Sequence, residues 1–457
     1  MLKKLLCALL LISTSVQSQN MITGTLSPKN DLVTHVILYQ LMGAKQVYIS
    51  NSKLDNDQFK LEIPKGTAIG MYRLSFSPSV LGFVDFLFDQ EDVSLKFDPT
   101  SISNTLEFSN SEENKTYVNY LTETANKRQK LDSLQIVFFK LKDKKQDEIT
   151  NDLYVKTLNI YTKIQEQYEE KTAGKLANHF IRSNFKYYAP TLFTAPQTYL
   201  NSIKQHFFDF INFEDNALKN STFFGEKAIE YVFYLNVSDD FKVQNGLYKK
   251  AINEVMQKVG ENDVVKSEIL TSLMYAFEQY ENLNLVGYVI DDFYSKLPVT
   301  YKDEILIAEM QSKIKLAIGN KAPEITWEEN GVQKKLSELN VSGAENYILV
   351  FWSTTCSHCL NEIPKLYEFS KNNAAIHVVA VALEDNNRGF EQYTSKLTAW
   401  TTILGLKKWE NKMAKEYKII ATPTYFILDK DKRIVAKPEH FEDLKAFFEI
   451  ETTKSEN

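Results

Sequence analysis

The stretch Ile348-Leu349-Val350-Phe351-Trp352-Ser353-Thr354-Thr355-Cys356-Ser357-His358-Cys359-Leu360-Asn361-Glu362-Ile363-Pro364 decides how the chain is read. Its first five residues form a strongly apolar run, the pattern of a buried strand. The cysteines then open a helix predicted to reach about Asn372. Cys356 falls at the helix N-terminus, where free backbone N–H groups and the positive end of the macrodipole stabilise a thiolate. That position makes Cys356 the nucleophile. Cys359, about one turn further in, is predicted to be less exposed and placed to attack a mixed disulfide formed by Cys356.

The cysteine count sharpens this reading. The chain has three cysteines, Cys7, Cys356 and Cys359. Met1-Leu2-Lys3-Lys4 is a positive segment, Leu5 to Ile12 is apolar, and Val16-Gln17-Ser18 offers small residues for cleavage, so residues 1–18 read as a signal peptide. The apolar run is far shorter than the ~20 residues that span a bilayer, and Cys7 lies too early in it for a lipid anchor. Export leaves only Cys356 and Cys359, which places both thiols of the mature chain side by side. Such a pair serves as a redox dithiol, as half of a zinc site or as a crosslink. Zinc needs two more ligands, and His35, His179, His206, His358, His377 and His440 show no paired spacing. A crosslink over so short a loop stabilises little. Redox chemistry is the reading that fits best.

Around the dithiol, strands alternate with helices from Gly319 onward. Strands are expected at Tyr347–Trp352, Ile376–Ala382, Thr424–Leu428 and Ile434–Ala436, with helices from the cysteines, near Gly389–Leu397, near Glu410–Tyr417 and from Phe441. This order predicts an α/β domain over residues 319–457. Gly319-x-x-Ala322-Pro323, Leu336-Ser337-Glu338-Leu339, Phe351-Trp352-Ser353-x-x-Cys356-x-x-Cys359-x-x-Glu362-x-Pro364 and Ala421-Thr422-Pro423-Thr424 together resemble the TlpA/ResA-type envelope thioredoxins.

The resemblance implies a thioredoxin-like fold and thiol–disulfide exchange without metal or organic cofactor. It implies that Pro423 is a cis-proline, and that Thr422 before it lies beside the dithiol and offers backbone hydrogen bonds to an extended substrate. Glu362 matches a carboxylate that family members carry near the dithiol, placed to relay the Cys359 proton. Pro364 bends the helix, and Trp352 packs beside the site among the substrate contacts. His358 departs from the family's usual proline. A histidine there resembles the DsbA-type oxidants, and its ring is expected to hydrogen-bond or charge-stabilise the Cys356 thiolate, making the pair more oxidising. The Ala322-Pro323 entry is also similar to that of peroxiredoxins. Those place a proline and a threonine or serine before a lone cysteine, whereas Leu349 and Ser353 precede a dithiol here.

The rest of the chain supplies two more patterns. Residues 19–110 carry seven short β-rich runs, from Ile22–Leu26 to Val93–Phe97, separated by turns such as Pro64-Lys65-Gly66, and predict a β-sandwich. Ser109-Asn110-Ser111-Glu112-Glu113-Asn114-Lys115-x-Tyr117 resembles a β-domain that precedes such thioredoxins in Bacteroidetes. Residues 111–318 have helical periodicity, with Ile269, Leu270, Leu273, Met274, Phe277 and Tyr280 on one face, and predict an all-α region. Its aromatics Tyr231, Phe233, Tyr234, Phe293 and Tyr294 are assigned to core packing.

The whole is thus a multidomain chain of 457 residues, 44% hydrophobic and 25% charged, as expected of folded soluble domains. A formal net charge of -6 with no long basic cluster excludes a nucleic-acid footprint. The expected partners are envelope protein thiols or disulfides and a redox donor or acceptor protein. The expected location is the periplasm or cell envelope of a Gram-negative bacterium, with no membrane span in the mature chain. The rival class is a partner-binding envelope module in which the thioredoxin fold is a passive platform.

Overall fold

The computed structural model describes residues 20–76, 82–141 and 144–455. The expected signal peptide lies outside them. The described chain forms two compact units, residues 20–280 with 291–302, and residues 281–290 with 303–455.

In the first unit eight strands build two sheets. They are β1 (Asn20–Leu26), β2 (His35–Met42), β3 (Lys45–Lys53), β4 (Gln58–Ile63), β5 (Gly70–Phe76), β6 (Gly82–Phe88), β7 (Val93–Phe97) and β8 (Glu107–Phe108). One sheet has the order β4-β1-β7-β8 and the other β3-β2-β5-β6. Alternate residues point inward, as in β4, where Phe59, Leu61 and Ile63 are buried between exposed neighbours. The inner faces of both sheets share one core containing Ile22, Leu38, Leu61, Leu74, Phe86 and Leu95, so the region is a β-sandwich. Asp85, the one charge in β6, sits opposite Arg73 of β5 and accepts two hydrogen bonds from its guanidinium, each 2.7 Å.

The same unit holds the long helices Glu112–Lys140 and Lys144–Lys171 and a series of shorter ones. Ser111 caps the first by accepting from Asn114 N–H, and the buried Asn114 side chain exchanges two hydrogen bonds with the Leu87 backbone of β6. This amide ties sandwich to helices. In the helix Asp263–Gln279 the residues Ile269, Leu270, Leu273, Met274 and Phe277 are fully buried, as the spacing predicts. Tyr280 is not part of that face. It lies one residue past the helix end and is 67% exposed. Of the aromatics assigned to packing, Tyr231 and Tyr294 are buried, whereas Tyr234 is 69% exposed.

The second unit contains an α/β domain with β9 (Thr326–Glu329), β10 (Val332–Lys335), β11 (Asn346–Trp352), β12 (Ile376–Glu384), β13 (Thr401–Leu406), β14 (Thr424–Asp429) and β15 (Ile434–Ala436). The first two form a hairpin around Asn330-Gly331, both with positive φ. The others form one sheet in the order β13-β12-β11-β14-β15. β12 runs parallel to β11 and β13, while β14 is antiparallel to β11, with Val350 paired to both Ala380 and Tyr425. Central β11 sends Tyr347, Leu349 and Phe351 into one core and Ile348, Val350 and Trp352 into another, on the opposite face. Helix Ser357–Ser370 covers the second core with Cys359, Ile363 and Leu366. The hairpin and β13 are absent from the strand pattern read in the sequence. β9 and β10 are mostly exposed and polar, and β13 is a short run whose glycine and threonines blur any alternation.

Candidate active site

The buried strand β11 ends at Trp352, and a tight loop carries the chain into helix Ser357–Ser370. Cys356 is the N-cap of that helix. Its extended backbone, with φ -93° and ψ 117°, turns Sγ back to accept from Cys359 N–H at 3.3 Å. Pro364 lies inside the helix and removes the hydrogen bond that its N–H would have made to the carbonyl four residues earlier. The loop itself is held by a group the sequence reading missed. Glu384, at the end of β12 and 3% exposed, accepts from Thr354 N–H at 2.6 Å and from the Ser353 hydroxyl at 3.4 Å. A carboxylate closing a buried apolar run was the available signal.

The two sulfurs occupy different environments. Cys356 is partly exposed and Cys359 is fully buried, and both are free thiols. Partial burial pushes the Cys356 thiol up, but hydrogen bonding from the Cys359 thiol, from the Thr422 side chain and from the backbone N–H groups of Cys359 and His358 outweighs it. The thiol therefore lies below its ordinary value. Burial pushes Cys359 up to about 12, helped by its hydrogen bond to Cys356. One sulfur is thus prepared to ionise and the other is held protonated.

The loop before β14 closes the site from the other side. The Thr422–Pro423 peptide bond is cis, and the Cys356 thiol donates to the Thr422 carbonyl at 3.2 Å. Residues 66 positions apart in the chain thus meet at one hydrogen bond. Glu362 lies one turn beyond Cys359, half-buried, and its Oε2 accepts from the Tyr425 hydroxyl at 2.7 Å. Tyr425 is a second residue the sequence reading missed. It is 1% exposed, packs in the same core as Cys359, and its phenol is pushed far up by burial, by its hydrogen bond to Glu362 and by that carboxylate's negative charge. Its place in an apolar strand, Thr424–Asp429, gave no sign of a polar role.

Two expectations are corrected. Trp352 was expected among the substrate contacts, but it is 1% exposed and its ring belongs to the core beneath the dithiol, so a bound chain does not reach it. His358 was expected to act through its ring. The residue is exposed and its ring makes no hydrogen bond or ion pair among the described residues, while its backbone N–H is what reaches Cys356. The first positions of a helix point their side chains outward and their N–H groups at the cap, which is the physical reason. Among the described residues no three His, Cys, Asp or Glu side chains converge to hold a metal ion.

A family model described as thioredoxin-like matches residues 344–434. No curated protein matches the chain. Among solved structures, a domain of a possible thiol-disulfide isomerase from Cytophaga hutchinsonii is 31% identical, with a TM-score of 0.26, over 30% of this chain and 94% of that one. The thioredoxin domain of a thiol-disulfide oxidoreductase from Bacteroides vulgatus is 26% identical, with a TM-score of 0.25, over 29% of this chain and 96% of that one. A thiol:disulfide interchange protein from Bacteroides sp. is 24% identical, with a TM-score of 0.25, over 30% and 90%. The C-terminal α/β domain is thioredoxin-like, and the chain as a whole is multidomain.

Proposed function

We propose that this protein is an exported thiol–disulfide oxidoreductase that reduces or exchanges disulfides of envelope proteins through Cys356-Ser357-His358-Cys359. The observation that carries the reading is the asymmetry of the two thiols: Cys356 is partly exposed with a lowered pKa, while Cys359 is buried with a pKa of about 12. A passive platform has no need of that difference.

In the reductive direction the Cys356 thiolate attacks one sulfur of a substrate disulfide. A Cys356–substrate bond forms, and the substrate's other sulfur leaves as a thiolate that takes up a proton. Cys359 then loses its proton and attacks Cys356 Sγ, forming the Cys356–Cys359 disulfide and releasing the second substrate thiol. Two electrons pass to the substrate, and a donor dithiol protein restores the starting state. Glu362 is the group assigned to the Cys359 proton, and Tyr425 positions it. Thr422 and cis-Pro423 present an extended substrate to Cys356.

Export rests on residues 1–18. Among the described residues no helix is long and apolar enough to cross a membrane. The division into residues 19–110, 111–318 and 319–457 belongs to the same reading. The test is a Cys359→Ser variant expressed with its leader. It should accumulate mixed disulfides with envelope proteins on non-reducing gels, and Cys356→Ser should not. Equal trapping by both variants would overturn the assignment.

A further inference from the structure

The helices of the first unit contain a second concave site that the dithiol chemistry does not use. A cavity of about 330 Å³ opens between the long helix Glu112–Lys140, the segment around Phe185–Tyr188 and helix Pro196–His206. Its apolar wall includes Ile136, Phe185, Tyr187, Ile203, Phe207 and Ile211. The wall is braced, because Tyr187 stacks on His206 at 3.9 Å between ring centroids and His206 Nδ1 lies 2.6 Å from Asp209 Oδ2. The volume lies at the low end of small-molecule pockets, which run from about 300 Å³.

A shallower depression adjoins this cavity and shares Asp132, Lys186, Lys227 and Glu230 with it. Its further lining includes Arg128. The charges do not cancel. Glu230 accepts from both Lys186 and Lys227, the latter at 3.1 Å, and so serves two cations at once. Asp132 is already engaged by the hydroxyls of Tyr188 and Tyr199, at 3.1 and 3.2 Å. Arg128 is half-buried and makes no hydrogen bond or ion pair among the described residues. Three cations therefore face two carboxylates, which leaves one positive charge and the five donors of a guanidinium unanswered in the depression beside the cavity.

The backbone at this wall is also irregular. Helix Phe223–Ile229 runs into a π-helical turn, Glu230–Tyr234, which begins at the shared carboxylate. Such turns are frequent at functional sites, where the widened backbone re-aims side chains that a regular helix would leave elsewhere. Lys227 shows what this arrangement sustains. Its side chain is 13% exposed, and burial holds its ammonium below the ordinary lysine range even with Glu230 beside it. A buried lysine that shares its carboxylate with Lys186 gains from a second anion.

We infer that this is a binding site for a small organic monoanion with an aromatic or aliphatic body. The anionic head lies on Arg128, Lys186 and Lys227, and the body lies along the apolar wall at Tyr187, Ile203 and Phe207. Planar, bidentate pairing by arginine suits a carboxylate or sulfonate head. This inference is independent of the proposed disulfide chemistry, so neither stands or falls with the other.

The test uses the full mature chain and two fluorescent probes with the same ring system. Anilinonaphthalene sulfonate carries the anion, and N-phenylnaphthylamine lacks it. The sulfonate should bind at one saturable site, and Arg128→Gln should weaken it about tenfold, a difference of about 1.4 kcal/mol, while leaving the neutral amine unchanged. Ile203→Trp, which fills the apolar wall, should weaken both probes. Arg128 is unpaired and reaches solvent, so its replacement leaves the fold intact, which far-ultraviolet circular dichroism checks. Absence of a saturable sulfonate site, or sulfonate binding unaffected by either variant, would overturn the inference. An equal loss of both probes in Arg128→Gln would overturn the anion's role in it.

Discussion

The two thiols should differ sharply in reactivity, and the structure sets the size of the difference. The perturbation is a pair of single-cysteine variants, Cys359→Ser to isolate Cys356 and Cys356→Ser to isolate Cys359. Burial is the largest cause of the Cys359 shift from 9.0 to about 12, and it survives in the variant because the core around Cys359 is built by residues such as Trp352, Ile363, Leu366 and Tyr425, with Cys356 only partly buried against it. At pH 7.5 a thiol with pKa 9 is ~3% ionised and one with pKa 12 is ~0.003% ionised, a loss of about a thousandfold in reactive thiolate. The thiolate of higher pKa is the better nucleophile, and with a Brønsted slope of about 0.45 three units return a factor of about 20. Ionisation alone therefore slows Cys359 by about 50-fold relative to an ordinary thiol. Cys356 lies on the favourable side of that reference, and the full burial of Cys359 adds a steric barrier. The assay is iodoacetamide alkylation of each native variant, followed by intact mass against time. Cys356 should react more than 50-fold faster than Cys359, and the gap should vanish in denaturant. Native rates within a few-fold of each other would refute the assigned roles and the burial argument beneath them.

The same shift makes stability depend on pH. Between about pH 9 and 12 unfolded Cys359 loses its proton while the folded residue keeps it, so its contribution is full below pH 9 and is lost as pH rises through about 12. Between pH 8 and 10.5 the reduced wild type should lose about 2 kcal/mol more than Cys359→Ala, measured by denaturant titration. All four tryptophans, Trp327, Trp352, Trp400 and Trp409, lie in the second unit, so their fluorescence reports its unfolding. Tyr425→Phe should cost about 1 kcal/mol by the same assay, because it removes a hydrogen bond to a carboxylate that still reaches water. It should also slow release of a mixed disulfide by Cys359 while leaving Cys356 alkylation unchanged, and a normal release rate would remove Tyr425 from the mechanism. His358→Pro should raise the Cys356 pKa, since proline has no N–H to offer the sulfur. His358→Ala keeps that N–H and should leave thiolate absorbance against pH unchanged; a shift of equal size in both variants would restore the role to the ring.

The amino-acid sequence by itself determined the parts of this protein that depend on neighbours within a turn or a strand. The apolar run Ile348–Trp352 had to be a buried strand, the spacing of Cys356 and Cys359 fixed which thiol caps the helix and which lies a turn inside it, and alternation marked seven strands of the sandwich. The matching of Thr422-Pro423 to the dithiol was also legible, through the resemblance of separated motifs, and the hydrogen bond from Cys356 to Thr422 is its physical form. Only the tertiary structure decided how these pieces are tuned. Glu384 holds the Ser353–Thr354 loop and Tyr425 holds Glu362 because sheet register puts those side chains on particular faces, and register between β11, β12 and β14 is set by packing across stretches of 30 to 83 residues. The ring of His358 and the indole of Trp352 were misplaced for the same reason. Whether a side chain meets solvent, a sulfur or a core depends on what is packed over it, and a local pattern carries periodicity but not the identity of the element on the other side.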